Sequence, residues 1–424
     1  MAVLMAVMAL WIIGGSLLLV FYYRHTLLTL WREPMLRRPV LIIESDDWGP
    51  GPAEHAEVLS RLIATLSSHR DCSGHPAVMT LGLVLSIPDT NRIRQVSAIE
   101  YHRRRIDHPQ FAKILAAICE GEKLNVFSLQ LHGMEHFWPP ALLSAAGTDS
   151  TIKQWLTTEE FPNTEELPSP LQSRWIDAVG LPSTPLSEAA ITAAVAEEIQ
   201  AFSSIFGRLP QVVVPPTFIW NEMVEKQWTQ AGVQIIVTPG RRLEHRDKTG
   251  KPVPIGPPLF NGMHSTSGAI YVIRNSYFEP QWGHTAQRAL QKLEQNWQLA
   301  RPTLFESHRF NFTGAAAEAD QAFTELHRLL AQALKRYPDL LFMGTAQLME
   351  QMLKQDPNLV ENRLAGRVQI WLKRLAQTGR LYKLAWITGL ALVAVPVFYL
   401  ARFAMVTGSY AHSLNVAPQR DRER

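Results

Sequence analysis

Two short stretches hold the residues most able to bind a divalent cation. In "VLIIESDDWGP", residues 40–50, an apolar run ends in Glu44, Asp46 and Asp47, three carboxylates in four positions. Neighbouring acids repel, and burying them is costly unless a cation or hydrogen-bond donors compensate. Such a run ends either in solvent or at a positive charge. In "HGMEH", His132 and His136 stand four apart, a spacing that on a helical turn puts both imidazoles on one side. With 14 histidines in 424 residues, that pair alone is close to chance. Two histidines joined by one carboxylate form a common catalytic metal set that leaves positions open for water and substrate. A third histidine, His308, ends the run "TLFESH", and Pro215 and Pro216 end "QVVVPP".

These groups must be positioned by the elements that carry them. Between residues 39 and 354, short apolar runs alternate with amphipathic stretches. Strands are expected at 40–45, 77–86, 124–132, 211–216, 233–239, 269–274, 303–308 and 339–344. Helices are expected at 54–69, 108–121, 186–207 (with Ser187 as N-cap), 220–231, 284–299, 315–336 and 345–354. Continuously apolar strands alternating with helices predict an α/β fold with a mainly parallel sheet covered on both faces, either a barrel or an open sheet. The C-terminal strand ends then share one rim, which brings Asp46, Asp47, His132, Pro216 and His308 together. Strand alternation turns Glu44 away from Ser45, and it is given no metal role. The Pro- and Trp-rich segment 137–185 reads as irregular, and "HRRRIDH", residues 102–108, as a solvated loop.

Composition narrows the function classes. The net charge is +3 and 46% of residues are hydrophobic. That balance argues against a nucleic-acid footprint, which needs a concentrated basic face. Cys72 and Cys119 are the only cysteines, too few for a disulfide framework or a zinc-type Cys pairing, and mildly favour a reducing compartment. Residues 1–23 contain an uncharged stretch long enough to span a bilayer, and residues 384–405 a second candidate interrupted by Pro396 and Arg402. The expected organisation is a transmembrane helix (1–23), a catalytic domain (39–354), a basic juxtamembrane segment (355–383), a second transmembrane helix (384–405) and a polar tail (406–424). Arg24, Arg32, Arg37 and Arg38 follow the first apolar segment, and Lys373, Arg374, Arg380 and Lys383 precede the second. The positive-inside rule then places the middle on the cytoplasmic side of an inner (cell) membrane.

The paired motifs resemble those of the polysaccharide deacetylases with NodB homology, the carbohydrate esterase family 4 group. "SDDWG" is similar to that family's Asp-Asp-Gly motif with Trp48 inserted, and "HGMEH" to its His-[Ser/Thr]-x-x-His motif with Gly133 at the hydroxyl position. "LFESH" and "YPDLLFMGTAQLMEQM" are similar to its late strands and last helix. The resemblance implies a distorted (β/α) barrel of the glycoside hydrolase/deacetylase type, flanked by the two transmembrane helices. It also implies that Asp47, His132 and His136 hold a divalent metal, zinc by family habit. Asp46 would be the general base and His308 the general acid. Apart from the resemblance, Trp48, Trp138 and Phe218 are aromatics that either stack on a sugar ring or belong to the core, and Trp48, Pro216 and Phe218 are taken as the substrate contacts. The family's third motif, Arg-x-Pro-aromatic, lacks its arginine in "VVVPPTFIWN", and Arg274 or Arg309 stands as the substitute. The implied activity is removal of an N-acetyl or similar acyl group from a sugar of a polysaccharide or lipid-linked glycan at the membrane, alongside other glycan-assembly proteins. A non-catalytic glycan-binding or scaffold subunit is the alternative. A glycoside hydrolase would need two acids flanking a bond.

Overall fold

The apolar run that carries the acids is strand β1 (Val40–Trp48) in a computed structural model that describes residues 1–96 and 100–414. Every residue of β1 except Asp47 is buried. Further strands are β2 (Met79–Leu83), β3 (Phe127–Leu131), β4 (Val212–Val213), β5 (Ile235–Thr238), β6 (Ile270–Ile273), β7 (Ser276–Tyr277), β8 (Thr303–His308) and β9 (Leu341–Phe342). Their order is β6-β5-β4-β3-β2-β1-β8-β7, every pairing is parallel, and β9 adds to β1 at Val40 and Leu41.

The two ends of this sheet are one stretch of chain. Only Arg274 and Asn275 separate β6 from β7. The Arg274 amide donates to the Thr238 carbonyl of β5, and the Asn275 amide donates to the Leu304 carbonyl of β8. The strand therefore changes partner in mid-course and closes the ring, which makes the distorted (β/α) barrel that the alternating pattern left open against an open sheet.

The principal helices are α1 (Ala2–Tyr22), α2 (Arg24–Arg32), α3 (His55–Ser67), α4 (Ala112–Lys123), α5 (Glu188–Phe206), α6 (Glu222–Gln230), α7 (Ala286–Gln298), α8 (Ala316–Arg336), α9 (Leu364–Ala376), α10 (Gly379–Ile387) and α11 (Leu390–Leu414). In α5, Ile191, Val195, Ile199 and Phe202 recur at helical spacing and are all buried. The Ser187 hydroxyl accepts from the Ala190 amide, and Gly207 ends the helix at φ 70°. The segment expected as a solvated loop is instead a strand: Arg103–Arg105 pairs antiparallel with Ser86–Pro88. Its three arginines are half-buried, and each has an anionic or carbonyl partner.

The chain divides into two compact units, residues 38–297 with 302–350, and residues 1–37, 298–301 and 351–424. The first is the barrel. In the second, α1 contains one helix, Val3–Tyr22, long and apolar enough to cross a membrane, and only 6% of it is buried. The continuous span expected at 384–405 breaks. Helices α10 and α11 are bent by 109° about Gly389, which sits at φ 78°. Within this unit the Trp11 indole donates to the Ile387 carbonyl at 3.2 Å, beside that bend. The basic segment 355–383 is also not simply a charged surface. Arg374 is 2% exposed and donates to the carbonyls of Leu299, Leu30, Glu33, Pro34 and Ala300. Its guanidinium ties these backbone carbonyls together and also lies 3.2 Å from Glu33 Oε2, a carboxylate that offsets its charge. Of the polar tail 406–424, residues 415–424, with Arg420, Arg422 and Arg424, lie outside the described residues.

Phe305, fully buried in β8, tests the barrel core. Phe305→Ala should cost about 3–5 kcal/mol, read as a lower urea midpoint at unchanged slope. A loss below about 1 kcal/mol would mean the core is not packed as described.

Candidate functional site

Strand β1 delivers its acids through a local irregularity. A regular pleat would turn Asp46 and Asp47 to opposite faces. Asp47 instead takes a left-handed φ of 67°, and pairing with β2 slips between Ser45 and Trp48. This bulge re-aims the side chains, so both carboxylates come within electrostatic reach of His132 and His308. Trp48 goes the other way. It is fully buried, and its indole donates to the Ser45 hydroxyl at 2.9 Å. The sugar-contact role expected of Trp48 is therefore corrected: the ring is core beneath the site.

Asp47 Oδ1 lies 3.5 Å from His132 Nε2 and 3.7 Å from His136 Nε2, and the ligand atoms of the three all lie within 4.8 Å of one another. Two ligands at about 2.0–2.1 Å from one tetrahedral ion stand about 3.3 Å apart. The trio is thus slightly wider than a closed site and of the right shape for one. Asp47 Oδ1 and His136 Nδ1 are buried without hydrogen-bond partners, a costly state that a cation relieves for the carboxylate. His132 Nδ1 lies 2.8 Å from the Val214 carbonyl, so that nitrogen carries the proton and leaves the Nε2 lone pair facing Asp47. Burial raises the Asp47 carboxyl, but the positive charge of His136 and His132 when protonated outweighs it and holds Asp47 far below the usual range, a part that a cation takes over when the imidazoles ligate as neutral bases. Burial above all lowers His136 to about 4, which keeps it neutral and able to ligate. The residues fit a divalent metal.

The stretch carrying both histidines is a loop, not the expected helical turn. Gly133 stands at φ 110°, and a Cβ there would come 2.8 Å from the Glu135 carbonyl and 3.1 Å from Arg174 Cδ. That explains the glycine where the resemblance expects a hydroxyl residue. Buried ion pairs fix the loop instead. Glu135 is fully buried and accepts from Ser86 Oγ (2.9 Å) and Arg174 Nη1 (2.7 Å), and pairs with Arg103 Nε (2.7 Å). Glu198 accepts from Arg174 Nε (3.1 Å), the Met134 amide (3.2 Å) and the Trp228 indole (2.8 Å). Sequence reasoning missed Glu135, Arg174 and Glu198. Only the acid inside "HGMEH" signalled them.

Arg274 reaches β1 from the point where β6 becomes β7. Its Nη2 donates to Asp46 Oδ1 at 2.8 Å, its Nη1 to Asp46 Oδ2 at 2.5 Å, and its Nε to Glu44. Glu44 also accepts from the Thr345 hydroxyl. Alternation puts Glu44 on the same face as Asp46, and its part in holding Arg274 was overlooked in the sequence. Burial raises Asp46, while Arg274 reverses the sign and keeps it ionised. Of the two arginines considered as substitutes, Arg274 is the one that grips Asp46. Arg309 uses only its backbone amide there, and its guanidinium reaches the Pro50 carbonyl.

His308 pairs in register with Asp46 across β1 and β8. Its Nδ1 is 2.7 Å from Glu279 Oε1, and Asn311 holds the other Glu279 oxygen. Burial opposes a charge on His308, but Glu279, Asp47 and Asp46 together push it up to about 10. Pro216 is buried against Gly133, so its expected sugar contact is also corrected. Phe218 is half-buried with Arg274 over its ring at 5.6 Å. A cavity of about 220 Å³ opens on the Asp47 and His136 side of the metal trio, lined also by Ile87, Phe161, Arg309 and Phe310 among others.

No family model matches the chain, and no curated protein does. Solved structures do. A putative polysaccharide deacetylase from Mycobacterium smegmatis is 10% identical, over 77% of this chain and 93% of that one, with a TM-score of 0.36. A putative glycoside hydrolase/deacetylase from Parabacteroides distasonis is 10% identical, over 76% and 73%, with a TM-score of 0.41. Deacetylases are thus among its structural neighbours. So is a 4-alpha-glucanotransferase from Thermococcus litoralis, 8% identical over 74% of this chain and 40% of that one, TM-score 0.38. At these scores the likenesses carry no weight for function, which rests on the residues themselves.

Arg274→Met leaves Glu44 and Asp46 buried without their cation, a change worth about 3–5 kcal/mol. The wild-type Asp46 carboxyl is lowered by folding, so its contribution is present above the unfolded carboxyl pKa and lost as pH falls. In the variant Asp46 keeps its burial and loses its guanidinium, so protonation relieves it. The variant's deficit in thermal midpoint should be larger at pH 8 than at pH 5, and an equal deficit at both would show that the pair is not electrostatically coupled.

Proposed function

We propose that this protein is a metal-dependent hydrolase that removes an N-acetyl or similar acyl group from a sugar. The observation that carries this reading is the Asp47–His132–His136 trio, with its unpartnered Asp47 oxygen, set between an arginine-held Asp46 and a glutamate-held His308. Asp47, His132 and His136 would hold the ion, with zinc suited to a two-histidine, one-carboxylate set. When bound, such an ion lowers the pKa of water and polarises an acyl carbonyl.

The chain's own groups supply the proton traffic. Asp46 stays anionic because Arg274 binds both its oxygens, and each oxygen keeps a further lone pair to accept a proton from the attacking water. His308, with Nδ1 engaged by Glu279, carries its mobile proton on Nε2 and gives it to the departing amine. The amide C–N bond breaks, the hydroxyl of one water joins the acyl carbon, the amine takes the His308 proton, and the proton left on Asp46 passes back to His308, so that one water is consumed in all. The products are a carboxylic acid and an amino sugar.

Helix α1 supports a membrane-anchored protein acting on a polysaccharide or lipid-linked glycan, with the barrel on the cytoplasmic face as the flanking arginines suggest.

Purified protein should carry about one divalent ion per chain, lost in His132→Ala/His136→Ala, as read by elemental analysis. Asp46→Asn should keep the ion and lose about 10²–10⁴-fold in turnover on an N-acetylated sugar. No bound metal after zinc is supplied would sink the catalytic reading and leave a glycan-binding protein. Activity should also fall on the alkaline side as His308 loses its proton, because its folded pKa is raised. Glu279→Gln removes the first of the raising causes, so that limb should move to lower pH. An unmoved limb would show that His308 is not the acid.

A further inference from the structure

The cavity on the Asp47 and His136 side of the metal trio is walled by more than the barrel rim. The segments after β1, β2, β3 and β8 contribute Pro50, Ile87, His136 and Arg309, while residues 161–165 come from the long insertion that leaves β3, which is not irregular throughout as expected but carries the helices Pro139–Ala146 and Ser150–Thr158. Glu165 from this segment lies within electrostatic reach of Asp47, His308 and Arg309. The insertion therefore crosses from the β3 side of the mouth to the β1–β8 side.

The crossing segment is latched from outside the site. Arg104 Nη2 donates to the Glu160 carbonyl at 2.6 Å, and its guanidinium lies 5.7 Å from the Phe161 ring and 5.8 Å from Phe111. The Gln110 side chain bridges the two, accepting from Arg104 Nη1 at 2.5 Å and donating to Glu160 Oε1 at 3.0 Å. Inside the segment, the Trp155 indole holds the Asn163 carbonyl at 2.9 Å, and the Asn163 side chain accepts from the Glu165 amide at 3.3 Å. Residues 161–165 are thus a fixed roof. The Arg-rich strand Arg103–Arg105 has two tasks: Arg103 pairs with Glu135 of the metal loop and Arg104 secures the roof.

The space left is about 220 Å³, below the roughly 300–1,000 Å³ of pockets that enclose a drug-sized ligand. It suits one sugar ring with its acyl arm, not a run of linked sugars laid through the site. We propose that the substrate is a single N-acylated sugar unit presented at the end of its chain or carrier, and that the roof 161–165, held by Arg104 and Gln110, excludes internal units of a polymer. This specificity rests on the deacylase reading above. A site built to thread a polymer would keep both flanks of the metal trio open, and here one flank is crossed by backbone.

The test uses the full-length protein loaded with zinc and hexamers of N-acetylglucosamine and of N-acetylgalactosamine, with the deacetylated position located by mass spectrometry. Wild type should release acetate from a terminal unit alone. Arg104→Ala and Gln110→Ala, neither of which touches the metal residues, should raise the ratio of internal to terminal release about tenfold or more, with metal content unchanged. Gln110 is exposed, so its variant reports even if Arg104→Ala folds poorly. Equal internal and terminal release by wild type would overturn the terminal-unit proposal and leave the deacylase reading standing. A ratio unmoved in both variants would overturn the role of the roof. No acetate from either hexamer by zinc-loaded protein would overturn both readings.

Discussion

The candidate site depends on one buried charge. Arg274 stands between Glu44 and Asp46, all three nearly inaccessible to water. Each alone would be expensive to bury, and together they are tolerable only because geometry and counter-charge coincide. That constraint orders the chemistry around it. Asp46 is kept ionised, Asp47 is left free on the next residue for a cation, and His308 faces both from the adjacent strand. The apolar strand ends in three acids beside two positive sites: a guanidinium for Glu44 and Asp46, and a metal-sized gap at Asp47.

Arg274 can occupy that place because of how the barrel closes. The residue lies where one strand leaves β5 and joins β8, and such a break frees its side chain to cross the rim. Closure and charge compensation are therefore one event in space. The same economy holds on the far side of the site. Gly133 gives the histidine loop a backbone shape open to glycine, and Arg174, Glu135 and Glu198 lock that shape with buried ion pairs. These pairs fix a geometry more than they add stability, since removing one partner strands the others.

The second unit follows a different logic. Helix α1 exposes apolar side chains along nearly its whole length, as a helix in contact with lipid would. The bend at Gly389 and the burial of Arg374 show that composition and charge counting describe only part of what this segment does. An arginine buried beside a carboxylate and five backbone carbonyls acts as a cross-link as well as a flanking charge.

Much was legible in the sequence because periodicity is local. The apolar runs located the barrel strands within a few residues, Ser187 announced the start of α5, and the acids and histidines at strand ends marked the rim. What could not be read was anything set by contacts distant in the chain. The partner of Asp46 lies 228 residues away, Glu44 joins the site only through that arginine, and Trp48 turns inward only because a bulge reverses the pleat. The sequence alone determined the alternation of strands and helices and the chemical types available at the rim, since those follow from burial patterns within short windows. Tertiary structure decided which groups meet, which aromatic rings are core, and how much room remains beside the metal trio. Those outcomes depend on ring closure, a left-handed residue and an inserted segment folding back across the mouth, and no short window contains them.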